Sequence, residues 1–231
     1  MIGIVGAMTS EVRRLNDELE NAAEETVLDL SFCRGRLCGH DVVVARCGAG
    51  KVNAAACTQA MILRYAPRLI VNLGVAGSLN ARLGLLDIAV GRDAVQHDVE
   101  TKDWGGEIGY RSVIGSVVYP CDGETREAIL SAARALGFRA LPVRVASGDQ
   151  FVSDPVKKKE IADFFRADVC DMESGAVAHV CMKTGVRCAV IRAISDATDG
   201  AHQMEFRQFM EIAADRSIAV LKKALTSESN L

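Results

Sequence analysis

A chain of 231 residues, 49% hydrophobic and 25% charged, carries enough apolar surface for one large core and too much for a disordered chain. Its 27 basic and 30 acidic residues are dispersed and sum to a net charge of −3, which leaves no basic footprint for nucleic-acid phosphates. The apolar pattern continues from Met1 to about Leu225 without a long polar break, so residues 1–231 read as a single domain.

The first segment, Ile2 to Val5, is a short apolar strand; it has no basic leader and meets charge at Glu11, Arg13 and Arg14, unlike a secretory signal. Helical spacing follows over Thr9 to Glu20, with Thr9 or Ser10 as the cap and Glu11 in the first turn, where the helix dipole favours an ionised carboxylate. An ordinary first-turn glutamate has the same pattern. A strand over Asp41 to Ala45 leads through Gly48-Ala-Gly50-Lys51 into a helix from Val52 to Tyr65. Neither a dinucleotide fingerprint nor a P-loop fits this turn. The third glycine position holds Asn53, no acid follows about twenty residues on, and Lys51 lacks the Ser or Thr after it. A tight strand-to-helix turn and a pocket wall both remain open for it.

Leu69 to Leu73 is a continuously apolar strand, closed by Gly74-Val-Ala-Gly77-Ser78. His97, Asp98, Glu100 and Asp103 lack the ligand spacing of a metal site, so none is expected there. Helices are predicted over Glu124 to Leu136, Asp154 to Phe165, Ser174 to Thr184 and Met204 to Ala224, and strands over Val143 to Ala146, Asp168 to Cys170 and Cys188 to Ile194. Leu28 to Leu37, Asp87 to Ala94 and Ser116 to Tyr119 are further strand candidates, some of them antiparallel. Apolar strands alternating with helices predict an α/β fold, a three-layer sandwich with a central mixed, mostly parallel sheet flanked by helices.

No uninterrupted apolar run reaches membrane-spanning length, so no membrane partner is expected. The eight cysteines form no C-x-x-C pair and lie mostly in apolar segments, which reads as reduced thiols in a cytoplasmic protein. No Gly-x-Ser-x-Gly elbow occurs, and His40, His97, His179 and His202 suggest no triad; His179 reads as a packed or solvated helix residue. Arg192 is harder to dismiss, because a guanidinium in an apolar strand needs an anionic or polar partner. One of the nearby carboxylates could be that partner in a purely structural pair. In open α/β sheets ligands bind beyond the carboxyl ends of the strands, where polar and glycine-rich segments cluster in this chain.

Gly3-Ile-Val-Gly-Ala-Met-Thr-Ser-Glu11, Gly48-Ala-Gly-Lys-Val-Asn-Ala-Ala55, Asn72-Leu-Gly-Val-Ala-Gly77, Ser147-Gly-Asp149, Asp171-Met-Glu173 and Arg192-Ala-Ile-Ser-Asp196 together resemble the 5'-methylthioadenosine/S-adenosylhomocysteine nucleosidases of the nucleoside phosphorylase superfamily. The likeness runs in order along almost the whole chain. It implies a homodimer that cleaves a small nucleoside with no metal or organic cofactor. Carried over position by position, it makes Glu11 the base that activates water, with Arg192 near the water and the ribose. Glu173 would bind the ribose hydroxyls beside Met172, and Asp196 would protonate purine N7, oriented by Ser195. Phe151 and the Val152 backbone would meet the base, with Val75 and Ala76 lining the site. Met8, Ala49 and Phe206 would meet the 5' substituent, and Trp104 would enter from the neighbouring subunit.

Two positions depart from the family pattern. Val75 stands where many relatives carry a serine, which puts water positioning in doubt, and Gly106 stands where an aromatic can occur, which bears on the 5' preference. A phosphorylase, a nucleosidase for futalosine-type nucleosides and a non-catalytic nucleoside sensor are the competing readings. The first should bring basic residues to the nucleophile, and the last has no need of Glu11, Glu173 and Asp196 together.

Overall fold

The computed structural model describes residues 1–100, 108–109, 115–196 and 203–227, apart from the side chains of Ser10, Asp196 and residues 203–210. The elements are β1 (Ile2–Gly6), α1 (Thr9–Asp17), β2 (Glu20–Val27), β3 (Leu30–Leu37), β4 (His40–Arg46), α2 (Lys51–Tyr65), β5 (Leu69–Ser78) and β6 (Ile88–Gln96). They continue with β7 (Val118–Pro120), α3 (Gly123–Ala135), β8 (Ala140–Ser147), α4 (Pro155–Phe165), β9 (Val169–Asp171), α5 (Ser174–Thr184), β10 (Arg187–Asp196) and α6 (Gln203–Thr226).

Strands β1, β4, β5 and β10 are apolar on both faces, as their uninterrupted runs require. Ile2, Ile4, Val42, Val44, Leu69, Val71 and Ile191 enter one core with α1, α3 and α6. Their alternates Val5, Val43, Ala45, Ile70 and Val190 enter another with α2 and α5. Successive strand side chains point to opposite faces, so each of these strands serves two helix layers.

The α/β class and the mixed sheet agree with the sequence, but parallel pairing does not predominate. Among the described residues, β1–β4, β1–β5, β5–β10, β6–β8 and β8–β9 pair parallel. The pairs β6–β10, β2–β3, β3–β4, β5–β9 and β6–β7 are antiparallel. The sheet order is β10-β6-β8-β9-β5-β1-β4-β3-β2, and β10 also pairs with β5, which closes β10, β6, β8, β9 and β5 into a ring. The simple sandwich therefore needs correction. Both β9 and β10 run parallel to one ring neighbour and antiparallel to the other, and a local apolar run does not encode strand direction.

Smaller differences have local causes. Helix α1 stops at Asp17 rather than Glu20, and Glu20–Val27 forms a largely exposed strand that, among the described residues, pairs only with β3. Neither Thr9 nor Ser10 caps α1; it starts directly after Met8, and Glu11 reaches back to the Met8 amide. All eight cysteines are free thiols. No described helix is long and apolar enough to cross a membrane.

Candidate active site

A cavity of about 290 Å³ opens where β1, β4, β5, β8, β9 and β10 deliver their carboxyl ends. Of the residues predicted for the site, Met8, Glu11, Ala49, Val75, Ala76, Phe151, Val152, Met172, Glu173 and Ser195 line it. Arg192 lies just behind the wall, 1% exposed. Asp196 ends β10 and Phe206 lies within α6, but their side chains are outside the described residues, as is Trp104 with the whole of 101–107, including Gly106.

Glu11 is buried, and its position follows from chain geometry at the start of α1. The amides of Ala7 and Met8, which precede the helix and have no intrahelical acceptor, donate to Glu11 Oε2 at 2.7 and 2.9 Å. The Val75 amide also donates to this carboxylate. Val75 therefore meets Glu11 through its main chain. Burial raises the Glu11 pKa above the usual carboxylate value, against the pull of Arg192 and the amide bonds.

The Arg192 guanidinium finds the anionic partner that its place in an apolar strand demands. Its Nε donates to Asp171 Oδ2 at 2.9 Å, and its Nη2 lies 2.7 Å from the same oxygen and 2.6 Å from Asn72 Oδ1. Glu173 Oε2 stands 3.9 Å from Nη2. Burial works against the Arg192 charge, but Asp171, Glu173 and Glu11 outweigh it and keep its pKa above the ordinary value. Gly74 makes room for this pair: a Cβ there would lie 2.7 Å from Glu11 Oε1 and 2.8 Å from Arg192 Nη1.

Asp171 is the hub that the sequence reading left out of the site. Besides Arg192 it accepts from the Ser147 and Ser174 hydroxyls and from the Ser174 amide. Asn72, the second omission, anchors itself by donating from Nδ2 to the Val5 carbonyl at 2.9 Å, which leaves its oxygen for Arg192 and the Ser174 hydroxyl. The available signal was an amide in the run Leu69-Ile-Val-Asn-Leu73, as conspicuous among apolar neighbours as Arg192 in its strand.

Glu173 lies between β9 and α5, with Oε1 accepting from the Gly50 amide at 2.9 Å. Burial and the neighbouring Asp171 push its pKa up to about 7, opposed by Arg192 and the Gly50 amide. The Gly48–Lys51 turn is thus both a tight turn and a cavity wall. Beside Ser195, the β10–β5 ladder has a bulge between Ile194 and Asp196, a device that re-aims side chains at the end of a strand.

The described histidines, His40, His97 and His179, stay out of this constellation, and His202 lies outside the described residues. His179 stacks on Tyr119 at 5.0 Å between centroids and bonds to Gln96, a packed helix residue. His97 packs against Gly148, and burial lowers its pKa. Among the described residues no group of three or more His, Cys, Asp or Glu is arranged to hold a metal. The arrangement offers two buried carboxylates with raised proton affinity, one cation held among three carboxylates, and largely apolar walls around a space for a small molecule.

The phosphorylase superfamily model matches residues 1–226. A 5'-methylthioadenosine/S-adenosylhomocysteine nucleosidase from Shewanella halifaxensis is 36% identical over 228 residues, covering 96% of this chain and 99% of that protein. The crystal structure of the Neisseria meningitidis nucleosidase of the same name, in complex with methylthio-immucillin-A, superposes with a TM-score of 0.92 at 30% identity, covering 97% and 98% of the two chains. A structure described as futalosine hydrolase of Helicobacter pylori superposes at 0.90 with 31% identity, covering 96% of each chain. On sequence, length and superposition alike, this chain belongs to the phosphorylase superfamily and, within it, to the family of the 5'-methylthioadenosine/S-adenosylhomocysteine nucleosidases.

Proposed function

We infer that the protein hydrolyses the N-glycosidic bond of 5'-methylthioadenosine and S-adenosylhomocysteine, releasing adenine and the 5-thioribose product. The observation that carries this reading is a pair of buried carboxylates, Glu11 and Glu173, facing one cavity whose described lining contains no basic side chain. A phosphorylase would need a cationic seat for phosphate beside C1'. Here the Arg192 guanidinium is already engaged by Asp171 and Asn72, and the anionic cavity would repel phosphate.

In the proposed mechanism Glu11 takes a proton from water while the water oxygen bonds to C1'. The C1'–N9 bond breaks, its electron pair passes to the purine, and Asp196 protonates N7, with Ser195 orienting it. Burial makes Glu11 a stronger base than an exposed carboxylate, which suits proton removal near neutral pH. Cleavage develops positive charge on the ribose, and Glu173 at the hydroxyls, with Glu11 beyond it, stabilises that charge in a water-poor site. Arg192 keeps the carboxylates from repelling one another. Met172 assists Glu173 at the ribose hydroxyls, Phe151 and the Val152 backbone meet the base, and Val75 and Ala76 line the site; Met8, Ala49 and Phe206 bound the 5' substituent. The proposal includes a cytoplasmic homodimer in which Trp104 completes the neighbouring site, in keeping with the free thiols and with Phe151, which is 68% exposed in a single chain.

The likeness to the futalosine hydrolase supports a second reading, in which the 5' substituent differs and the reaction is the same. Metal-free protein incubated with 5'-methylthioadenosine in phosphate-free buffer should release adenine and methylthioribose. Release only with added phosphate, as a sugar 1-phosphate, would make it a phosphorylase. Turnover of futalosine alone would move the substrate to the second reading.

A further inference from the structure

We propose that Asp149 is a positioning residue: from the loop after β8 it caps helix α2 and holds the Gly50 amide against Glu173. The kinetic consequence rests on the nucleosidase reading; the geometry does not.

Helix α2 begins without a cap of its own. Gly50 has no side chain to offer, and the first turn contains no acid. Asp149 supplies both from elsewhere in the chain, accepting from the Lys51 amide through Oδ1 at 2.7 Å. The Asp149 amide donates to Asp98 Oδ2 at 2.9 Å, and Asp98 Oδ1 pairs with Lys51 Nζ at 2.5 Å. Lys51 also reaches Gln96 Oε1 at 3.3 Å. The ends of β6, β8 and the start of α2 are thereby tied into one unit.

Consecutive amides of this helix start serve two acids. Lys51 N–H goes to Asp149 and Gly50 N–H to Glu173, so the first bond fixes the direction of the second. Only glycine serves at position 50. Its φ is +97°, and a Cβ would lie 3.0 Å from Asp149 Oδ1. The groups facing Glu173 are Asp171 from β9, Arg192 from β10, Glu11 from α1 and Cys47 beyond β4, with the Gly50 amide on the remaining side. That amide is the contact that Asp149 governs. Asp149 also stands one residue from Gln150 and two from Phe151, so the same clamp sets the cavity wall against the ribose-binding acid.

The test compares Asp149→Ala with Asp149→Asn, which keeps an oxygen for the Lys51 amide but loses the charge. Asp149→Ala should lower kcat/KM for 5'-methylthioadenosine about tenfold, the order of effect of a lost helix cap. It should also move the acid limb of the pH profile to higher pH, because Glu173 loses a donor that favours its ionised form. Asp149→Asn should recover most of both. In ligand-free protein, the Gly50 amide resonance should follow the Glu173 titration in wild type and Asp149→Asn, and lose that response in Asp149→Ala. An unchanged pH profile and amide response in Asp149→Ala would overturn the inference, whatever its melting temperature. Equal impairment of both variants would overturn it too, since charge and not the cap would then be responsible. If wild type itself turns over no nucleoside, the nucleosidase reading fails, and the amide titration still decides the clamp.

Discussion

Replacing Gly74 with alanine would add one methyl group between the two residues on which the proposed chemistry turns. Its Cβ would lie 2.7 Å from Glu11 Oε1 and 2.8 Å from Arg192 Nη1, about 0.6–0.7 Å inside an ordinary contact of 3.4 Å. Gly74 has no positive φ, so the backbone accepts alanine and the conflict is confined to these side chains. Neither can retreat freely: Glu11 is tied to the Ala7 and Met8 amides, and Arg192 to Asp171 and Asn72. A displacement of that size at a base and its neighbouring cation should lower kcat by about 10²-fold. Overpacking costs about 1–3 kcal/mol, a fall in Tm of roughly 2–12 °C for a domain of this size. Adenine release at saturating substrate, read beside thermal unfolding by circular dichroism, separates the two effects. Gly123→Ala is the control, because nothing there approaches closer than 3.8 Å, and it should leave both unchanged. Wild-type kcat in a folded Gly74→Ala protein would refute the account of how Glu11 and Arg192 are held.

Arg192→Met should destabilise the fold by about 3–5 kcal/mol, because it leaves Asp171, Glu173 and Glu11 buried without their cation; denaturant midpoints check it, and a loss below 1 kcal/mol would contradict the pairing described. Glu173 is a carboxylate whose folded pKa, about 7, exceeds its unfolded value of 4.5. The folded state then binds the proton more tightly, so stability should fall as pH rises from about 4.5 to about 7, a fall that Glu173→Gln should reduce in denaturation curves across that window. Glu11→Gln should abolish most turnover while leaving the affinity for an unreactive nucleoside analogue nearly intact, as titration calorimetry would show. Phe151→Ala should raise KM more than it lowers kcat, since the ring bounds the cavity and takes no part in proton transfer.

The strands that build the cavity floor were legible because burial on both faces writes an unbroken apolar run, as in Leu69-Ile-Val and Ala189-Val-Ile. Strand β2 was not, since Glu20–Val27 is polar and mostly exposed; only its pairing with β3 makes it a strand. Strand direction was equally hidden. Nothing in the three residues of β9 records that they lie antiparallel to β5 and parallel to β8. At the site, Arg192 announced itself by its misfit with a hydrophobic strand, but its partner did not. Asp171 looks like any acid at a strand end until the fold brings Ser147, Ser174 and Arg192 around it. The Lys51–Asp98–Asp149 link joins positions about fifty residues apart at each step and leaves no local trace.

Strands β5 and β6 are consecutive in the chain, yet β10 pairs with both, parallel to one and antiparallel to the other. The ring thus lacks a central member until the chain has been made as far as residue 196. On a ribosome, β5 and β6 would emerge long before the strand that joins them and would have to keep their unpaired edges from other partners meanwhile. The same strand brings Arg192 to Asp171, so the buried acids gain their cation at the step that closes the ring, and a protein shortened before Arg187 would lose both at once.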